Sequence, residues 1–360
     1  MPASYISLTH QVADLIKIGI ETKRWVNWLP GERILVQELG VSRRTIRQAL
    51  IMLRSSMLIQ CETGRGYRIA AMKECLKQES TTKGVGLLIS NPVELQRTFT
   101  NLWINELRSF LANHDLNLRV FSGKKYYSGT PGKTLAQLIR NEPQRAWVIT
   151  ESTSIIQSWF ESNRVNSVIV GSPHGETSIP SVDLNYRAVG RHAAGQFLRA
   201  GHRAIAIMVG DPARGGDNEC RAGFEEAVKA HSVETIDFIV ARHTFTPDSI
   251  FRSIQLLVRR KITPTALLVG NSPYYLAAHT ALCSLGLKIP KDITLISRDD
   301  DPYLKFVHPE PARYSCPPAL MAKRIGRILL KLHEVSTTKQ VPEKLMPFFL
   351  EGATLAKRSG

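Results

Sequence analysis

Apolar positions recur at helical spacing through the first part of the chain, up to about Met57, and then switch to a short two-residue alternation around a glycine-rich tip. Residues 71–83, AMKECLKQESTTK, are polar and lack a core pattern, so they are expected to be a linker. From Gly84 the character changes. Short β-rich runs alternate with amphipathic helical ones: GVGLLIS, LWINELRSFLANH, LNLRVFS, LAQLIRN, RAWVIT, IIQSWFESN and SVIVG. The same alternation restarts with VGRHAAGQFLRAG and runs through AIAIMVGD, RAGFEEAVKAH, FIVARHT, SIFRSIQLLVRRK, ALLVGN, YLAAHTALCSLG and ITLISRDD. After the helical run ALMAKRIGRILLKL the tail ends in PFFLEGATL, which reads as a last strand. Strand and helix in strict alternation predict parallel sheets with helices on both faces. Two successive α/β units are therefore expected, with a cleft as the natural place for a ligand. The organisation read from the pattern is a small domain over 1–70, a linker over 71–83 and a larger domain over 84–360.

In the small domain, LPGERILVQELGVSRRTIRQALIMLRSSMLI predicts a short helix from about Glu32 to Leu39. Gly40 supplies a tight turn and Ser42 can cap the next helix by accepting a backbone N–H bond. Such a unit is a helix-turn-helix. In its second helix Ile46, Ala49, Leu50 and Leu53 fall on one face, leaving Arg43, Arg44, Thr45, Arg47 and Gln48 near the outward N-terminal end. Arginines so placed can enter a major groove and pair with guanine O6 and N7. The following hairpin, LIQCETGRGYRIA, would carry Arg65 at its tip against a neighbouring groove or phosphate, with Arg68 close behind.

Composition supports this picture without deciding it. The 360 residues carry 47 Lys and Arg against 31 Asp and Glu, a formal net charge of +16, which favours polyanionic partners. With 43% hydrophobic and 22% charged residues the chain can bury real cores. No apolar run is long enough to span a bilayer, and the N-terminus lacks a basic region followed by an apolar core and cleavage site, so no membrane association is expected and the compartment is read as the cytoplasm. The five cysteines form no C-x-x-C pair and are read as reduced thiols. Neither a metal nor a cofactor is expected, because the ten histidines show no ligand spacing.

The runs LPGER, LGVSRRTIRQAL and TGRGY resemble, in order and spacing, the GntR-type winged helix over residues 5–70. That resemblance implies operator DNA contacted by Arg33, Ser42, Arg43, Arg44, Thr45, Arg47, Gly64, Arg65 and Gly66. From about Gly84 the chain resembles the LacI/GalR-type, periplasmic-binding-protein-like sensor domain of two lobes. The residues carrying this are IPSVDLNYRAVGRHAAGQFLRAGHRAIAIMVGD, RAGFEEAV, ALLVGNSPYYLAAHTALCSLGLKIPKDITLISRDD and FFLEGATL. The combination is similar to arabinose-repressor-like regulators; the linker shows no hinge helix of the kind LacI-type repressors proper possess. The resemblance implies a small-molecule effector, commonly a sugar, held between lobes. By position its contacts are Asp300 and Asn271, then the neighbouring Asp299, and Arg221 beside Cys220, which occupies the place of an expected arginine. Asn271 is followed by Ser272 where the family often has Asp, so the effector need not be a simple sugar.

The reading is a homodimeric, effector-controlled transcriptional regulator, a repressor, with no enzymatic activity. The alternative is a sugar-binding receptor without a gene-regulatory role, disfavoured because such a receptor needs an export signal and has no use for the head. Enzyme signals do not hold together. Gly132, Lys133 and Thr134 suggest a phosphate-binding loop, yet Tyr127 stands where its first glycine would be. Ser172 and His174 lack both the nucleophile elbow and an orienting acid.

Overall fold

The computed structural model describes residues 8–21, 24–55, 58–62, 65–69, 83–210, 214–231, 235–332 and 342–358. The linker expected over 71–83 lies, apart from Lys83, outside the described residues. Contacts divide the chain into two units, Met1–Asn91, Arg119–Ser167 and His174–Ile179 in one, and Pro92–Leu118, Val168–Pro173 and Pro180–Gly360 in the other.

The first unit opens with three helices, α1 (Leu8–Glu21), α2 (Glu32–Leu39) and α3 (Arg43–Ser55), and a hairpin of β1 (Ile59–Glu62) and β2 (Gly66–Ile69). In α1, Val12, Ile16 and Ile20 repeat every fourth residue and are buried, which defines the face that meets α3. They join Leu35, Ile46, Leu50, Leu53, Ile59 and Ile69 in one core. Complete burial of a Leu or Ile is worth about 1.5–3 kcal/mol, so this small core rests on few side chains. The sequence placed α2 correctly, and its end is set by Gly40, whose left-handed φ of 63° lets its N–H reach the Val36 carbonyl at 3.0 Å. The hairpin is antiparallel, with Ile59 opposite Ile69 and Glu62 opposite Gly66.

Beyond the head, β3 (Gly84–Ile89), α4 (Thr98–Ala112), β4 (Asn117–Ser122), α5 (Gly132–Asn141), β5 (Ala146–Thr150), α6 (Ser154–Ser162), β6 (Ser167–Val170) and β7 (Ser181–Leu184) follow in turn. Then come α7 (Tyr186–Arg199), β8 (Ala204–Gly210), α8 (Gly215–Ala230), β9 (Asp237–His243), α9 (Pro247–Val258), β10 (Ala266–Val269), α10 (Ser272–Ser284) and β11 (Thr294–Ser297). The chain finishes with β12 (Ala312–Ser315), α11 (Pro318–Lys331), β13 (Glu343–Leu345) and β14 (Phe348–Leu350). One six-stranded sheet has the order β13-β7-β6-β5-β3-β4, the other β14-β12-β11-β10-β8-β9. The two α/β units expected from the pattern are thus present. The pattern missed β7, β12 and β13, each of three or four residues, too short to display an alternation.

The second sheet explains the continuous apolar runs. Strand β8 is buried along its whole length because helices cover both faces. Ala206 and Met208 point to one core with Ile250, Ile254, Tyr275 and Leu282, while Ile205, Ile207 and Val209 point to the other with Phe197 and Phe224. Parallel pairing joins β8 to β9 on one side and to β10 on the other, with β11 next. Chain order therefore reverses at β8, which makes its carboxyl end a topological switch point, the usual place for ligands in such sheets. On one face α7 and α8 cross with no room between them: a Cβ on Gly190 would lie 1.9 Å from the Cys220 carbonyl oxygen, and one on Gly223 would lie 1.8 Å from that of Arg187.

Candidate nucleic-acid interface and effector site

The start of α3 is fixed by Ser42, whose Oγ accepts the Thr45 N–H at 3.2 Å and lies 2.8 Å from the Thr45 hydroxyl. Burial of Ile46, Ala49, Leu50 and Leu53 then turns the opposite face outward. Arg43, Arg44, Arg47 and Gln48 are exposed on it, with Thr45 half-buried at its edge. Arg33 is exposed on α2, and Arg65 and Gly66 are exposed on the hairpin, where Gly66 has a φ of 98° that a side chain would resist. Gly64 lies outside the described residues. Sequence reasoning missed Glu32, the first residue of α2, whose carboxylate accepts from Arg47 Nε at 2.9 Å and Arg43 Nε at 3.3 Å. Its partners lie 11 and 15 residues further along the chain, so without the packing of α2 on α3 they could not be chosen from the sequence. Arg68 pairs with Glu62 across the hairpin at 3.3 Å.

The second candidate site gathers at the carboxyl ends of the second sheet's strands. Arg298 follows β11, is buried, and donates from Nη1 to Asp217 Oδ1 at 2.5 Å; its guanidinium stands 4.4 Å from the Tyr186 ring centroid. Asp217 sits in the first turn of α8, where it also accepts the Gly210 N–H at 3.4 Å from the end of β8. Asp299 accepts from Arg97 at 2.8 Å, and its other oxygen is 3.7 Å from Arg298 Nε. Those last two atoms are buried and lack a hydrogen-bond partner among the described residues. Burial alone pushes the Asp217 carboxyl up, but Arg298 pulls it further down, leaving it below the ordinary value. Burial lowers the Arg298 value, and Asp299 and Asp217 more than reverse this, so its charge is retained. Nearby, Ser172 donates to Asp183 at 2.8 Å, and burial raises the Asp183 carboxyl despite that bond.

The four residues expected to hold an effector fare differently. Asp299 lies in the cluster just described. Asn271, buried after β10, accepts the Tyr274 N–H at 3.1 Å and so caps α10. Asp300 is turned to the buried Arg313, accepting from its Nε at 2.8 Å, a pair that also holds Glu310 and the Pro311 carbonyl. Arg221 makes an ion pair one turn along α8 with Glu225 at 3.4 Å. Cys220, standing where an arginine was expected, is wholly buried, and its thiol is pushed up to about 12 by burial, with Arg298 among its electrostatic neighbours. A guanidinium does stand near this thiol, that of Arg298 at the end of β11. Arg298, Asp217, Arg97 and Tyr186 were all passed over in the sequence, since nothing in their spacing announces that they meet.

The residues that suggested a phosphate-binding loop have structural roles. Tyr127 is half-buried and its hydroxyl donates at 2.9 Å to the carbonyls of Leu88 and Thr150, joining the ends of β3 and β5, and Gly132 to Thr134 form the first turn of α5.

Head and body together define a class: a winged helix-turn-helix joined to a periplasmic-binding-protein-like α/β domain. Residues 8–69 match the bacterial regulatory proteins of the gntR family, and residues 194–354 match the periplasmic binding protein-like domain. Among curated proteins, the chain is 27% identical over 173 residues to the HTH-type transcriptional regulator CelR of Thermobifida fusca, covering 48% of this chain and 51% of that one. It is 20% identical over 307 residues to the HTH-type transcriptional regulator AscG of Escherichia coli strain K12, covering 83% and 90%. The match thus spans about half the length of CelR and 90% of AscG. In fold, the transcriptional regulator CelR in complex with cellobiose superposes with a TM-score of 0.70 at 18% identity, covering 91% of this chain and all of that one. The transcription regulator CcpA of Lactococcus lactis gives 0.66 at 17% identity, covering 76% and 99%.

Proposed function

We propose that the protein is a sequence-specific, DNA-binding transcriptional regulator, a repressor, whose head reads an operator and whose body senses a small polar molecule. The observation that carries this is the capped, outward-facing start of α3 with Arg43, Arg44 and Arg47 exposed beside the Arg65 hairpin. A helix presenting guanidinium groups at its N-terminal end matches the dimensions and the donor pattern that a major groove accepts. The assigned DNA contacts are Arg33, Ser42, Arg43, Arg44, Thr45, Arg47, Gly64, Arg65 and Gly66. Two heads in a homodimer would read the two halves of a roughly palindromic operator. We assign the body binding and no reaction, in line with relatives that are named regulators, and place the protein's work in the cytoplasm, where its DNA would be.

The effector is assigned to the carboxyl ends of the second sheet's strands, with Asp299 and Asn271 as contacts and Asp217 and Arg298 as their buried support. Asp300 and Arg221 are assigned supporting roles behind them. A sugar is the favoured class, given that CelR was solved with cellobiose. Hydroxyl-rich ligands suit a carboxylate, which accepts from their hydroxyls, beside an amide, which both accepts and donates.

The test is fluorescence anisotropy on duplexes that the full chain selects from a randomised pool. Selective, salt-sensitive binding that Arg43→Ala with Arg47→Ala reduces toward the level of a scrambled duplex is expected. Binding of all duplexes alike, unchanged by those substitutions, would defeat the proposal.

A further inference from the structure

Arginine carries one N–H on Nε and four on its two terminal nitrogens, and guanine is read by a pair of donors held in a fixed fork. Arg43 and Arg47 both commit the Nε donor to a single atom, Glu32 Oε2, at 3.3 and 2.9 Å. No hydrogen bond to their terminal nitrogens is made among the described residues. The side chain of Glu32 is only 20% exposed, against 66% and 60% for the two arginines, so the anchor is held and the guanidinium heads project. Glu32 itself is fixed by standing first in α2, whose Leu35 is fully buried one turn later.

We propose that Glu32 is a positioning residue for base reading: it clamps Arg43 and Arg47 by their Nε atoms and presents the terminal forks of both toward guanine edges. The proposal rests on the DNA-reading function above and deepens it. Clamping removes rotamer freedom that two long side chains would otherwise lose on binding. A bare electrostatic account predicts the opposite. A carboxylate at a DNA-facing surface repels phosphate, so its removal should strengthen binding to every duplex equally.

The experiment compares the full chain with its Glu32→Gln variant on the duplex selected from a randomised pool and on a scrambled duplex. The clamp predicts that Glu32→Gln leaves scrambled binding unchanged or tighter while the specificity ratio falls roughly tenfold. Repeating the selection with Glu32→Gln should relax the preference for guanine at the positions facing Arg43 and Arg47. In an Arg43→Ala, Arg47→Ala background, Glu32→Gln should alter the ratio less than about twofold, since the clamp then has nothing to hold. A ratio of two affinities from one preparation does not depend on the folded fraction, and Glu32→Met, of similar length, serves as a second variant. An unchanged ratio, or an equal loss in the arginine-free background, overturns the clamp while leaving the regulator reading intact. Failure of the unaltered protein to select any sequence overturns the regulator reading itself.

Discussion

A cation taken wholly out of water must be answered by anions, and Arg298 is answered by two, Asp217 and Asp299. Removing one partner of a buried pair costs far more than the pair contributes, about 3–5 kcal/mol, because an uncompensated charge is left behind. Asp217→Asn is therefore expected to lower the free energy of unfolding by an amount in that range, read in urea as a lower midpoint with the m-value unchanged. The pH dependence has a definite sign. With its folded pKa below 3.8, Asp217 contributes stability above that value, and the contribution is lost as pH falls through the lower folded value, so Asp217→Asn should flatten the acid limb of the stability curve. His202 behaves in the same direction for another reason. Burial lowers its pKa from 6.5 despite the bond to the Ala356 carbonyl, so the folded state prefers the neutral ring. Its stability is complete above the unfolded-state pKa and declines as pH drops toward the folded value. Melting temperature should fall between about pH 7 and pH 5, and His202→Gln should reduce that fall.

At the scale of elements, the cap and the crossing are the sharpest dependencies. Ser42→Ala removes the hydroxyl that accepts the Thr45 N–H and is expected to cost about 0.5–2 kcal/mol, read as a lower melting temperature of the head by circular dichroism. Gly223→Ala puts a methyl group 1.8 Å from the Arg187 carbonyl oxygen, where α7 and α8 meet backbone to backbone. Several kcal/mol and a loss of soluble protein are expected, beyond the usual 1–3 kcal/mol of overpacking. Most elements were legible because their signals are local. Gly40 ends α2, Ser42 opens α3, and the run AIAIMVG, short and β-rich in an alternating series, reads as a strand. What could not be read is anything set by the meeting of distant segments. The three-residue β13 has no pattern of its own and exists because it pairs with β7. Glu32, Arg97 and Asp217 are likewise ordinary surface-type residues until the packing of other elements gives each its partner.

For the molecule as a whole, control requires that effector bind one arrangement of the protein better than another. A screen of mono- and disaccharides, cellobiose included, by thermal shift should find a ligand that raises the melting temperature. Asp299→Asn should weaken that ligand at least tenfold while leaving operator affinity in its absence within about twofold, as measured by calorimetry and anisotropy. The candidate effector contacts were legible only in part. Position along the chain brought Asn271 and the run of three aspartates to the strand ends, but register decided among the aspartates, sending Asp300 to Arg313 and keeping Asp299 beside Arg298.

Thr354 has no exposed surface; its hydroxyl accepts the Ala312 N–H at 2.9 Å and donates to the Leu295 carbonyl at 2.6 Å, stitching the segment after β14 onto β11 and β12. That stitch sits four residues before Arg358, so affinity handles or fluorescent reporters joined beyond Arg358 should leave it undisturbed. Trimming the chain back to Glu351 would instead unpick two neighbouring strands beside the Arg313 pair, and such a shortened product is expected to be recovered mainly as aggregate.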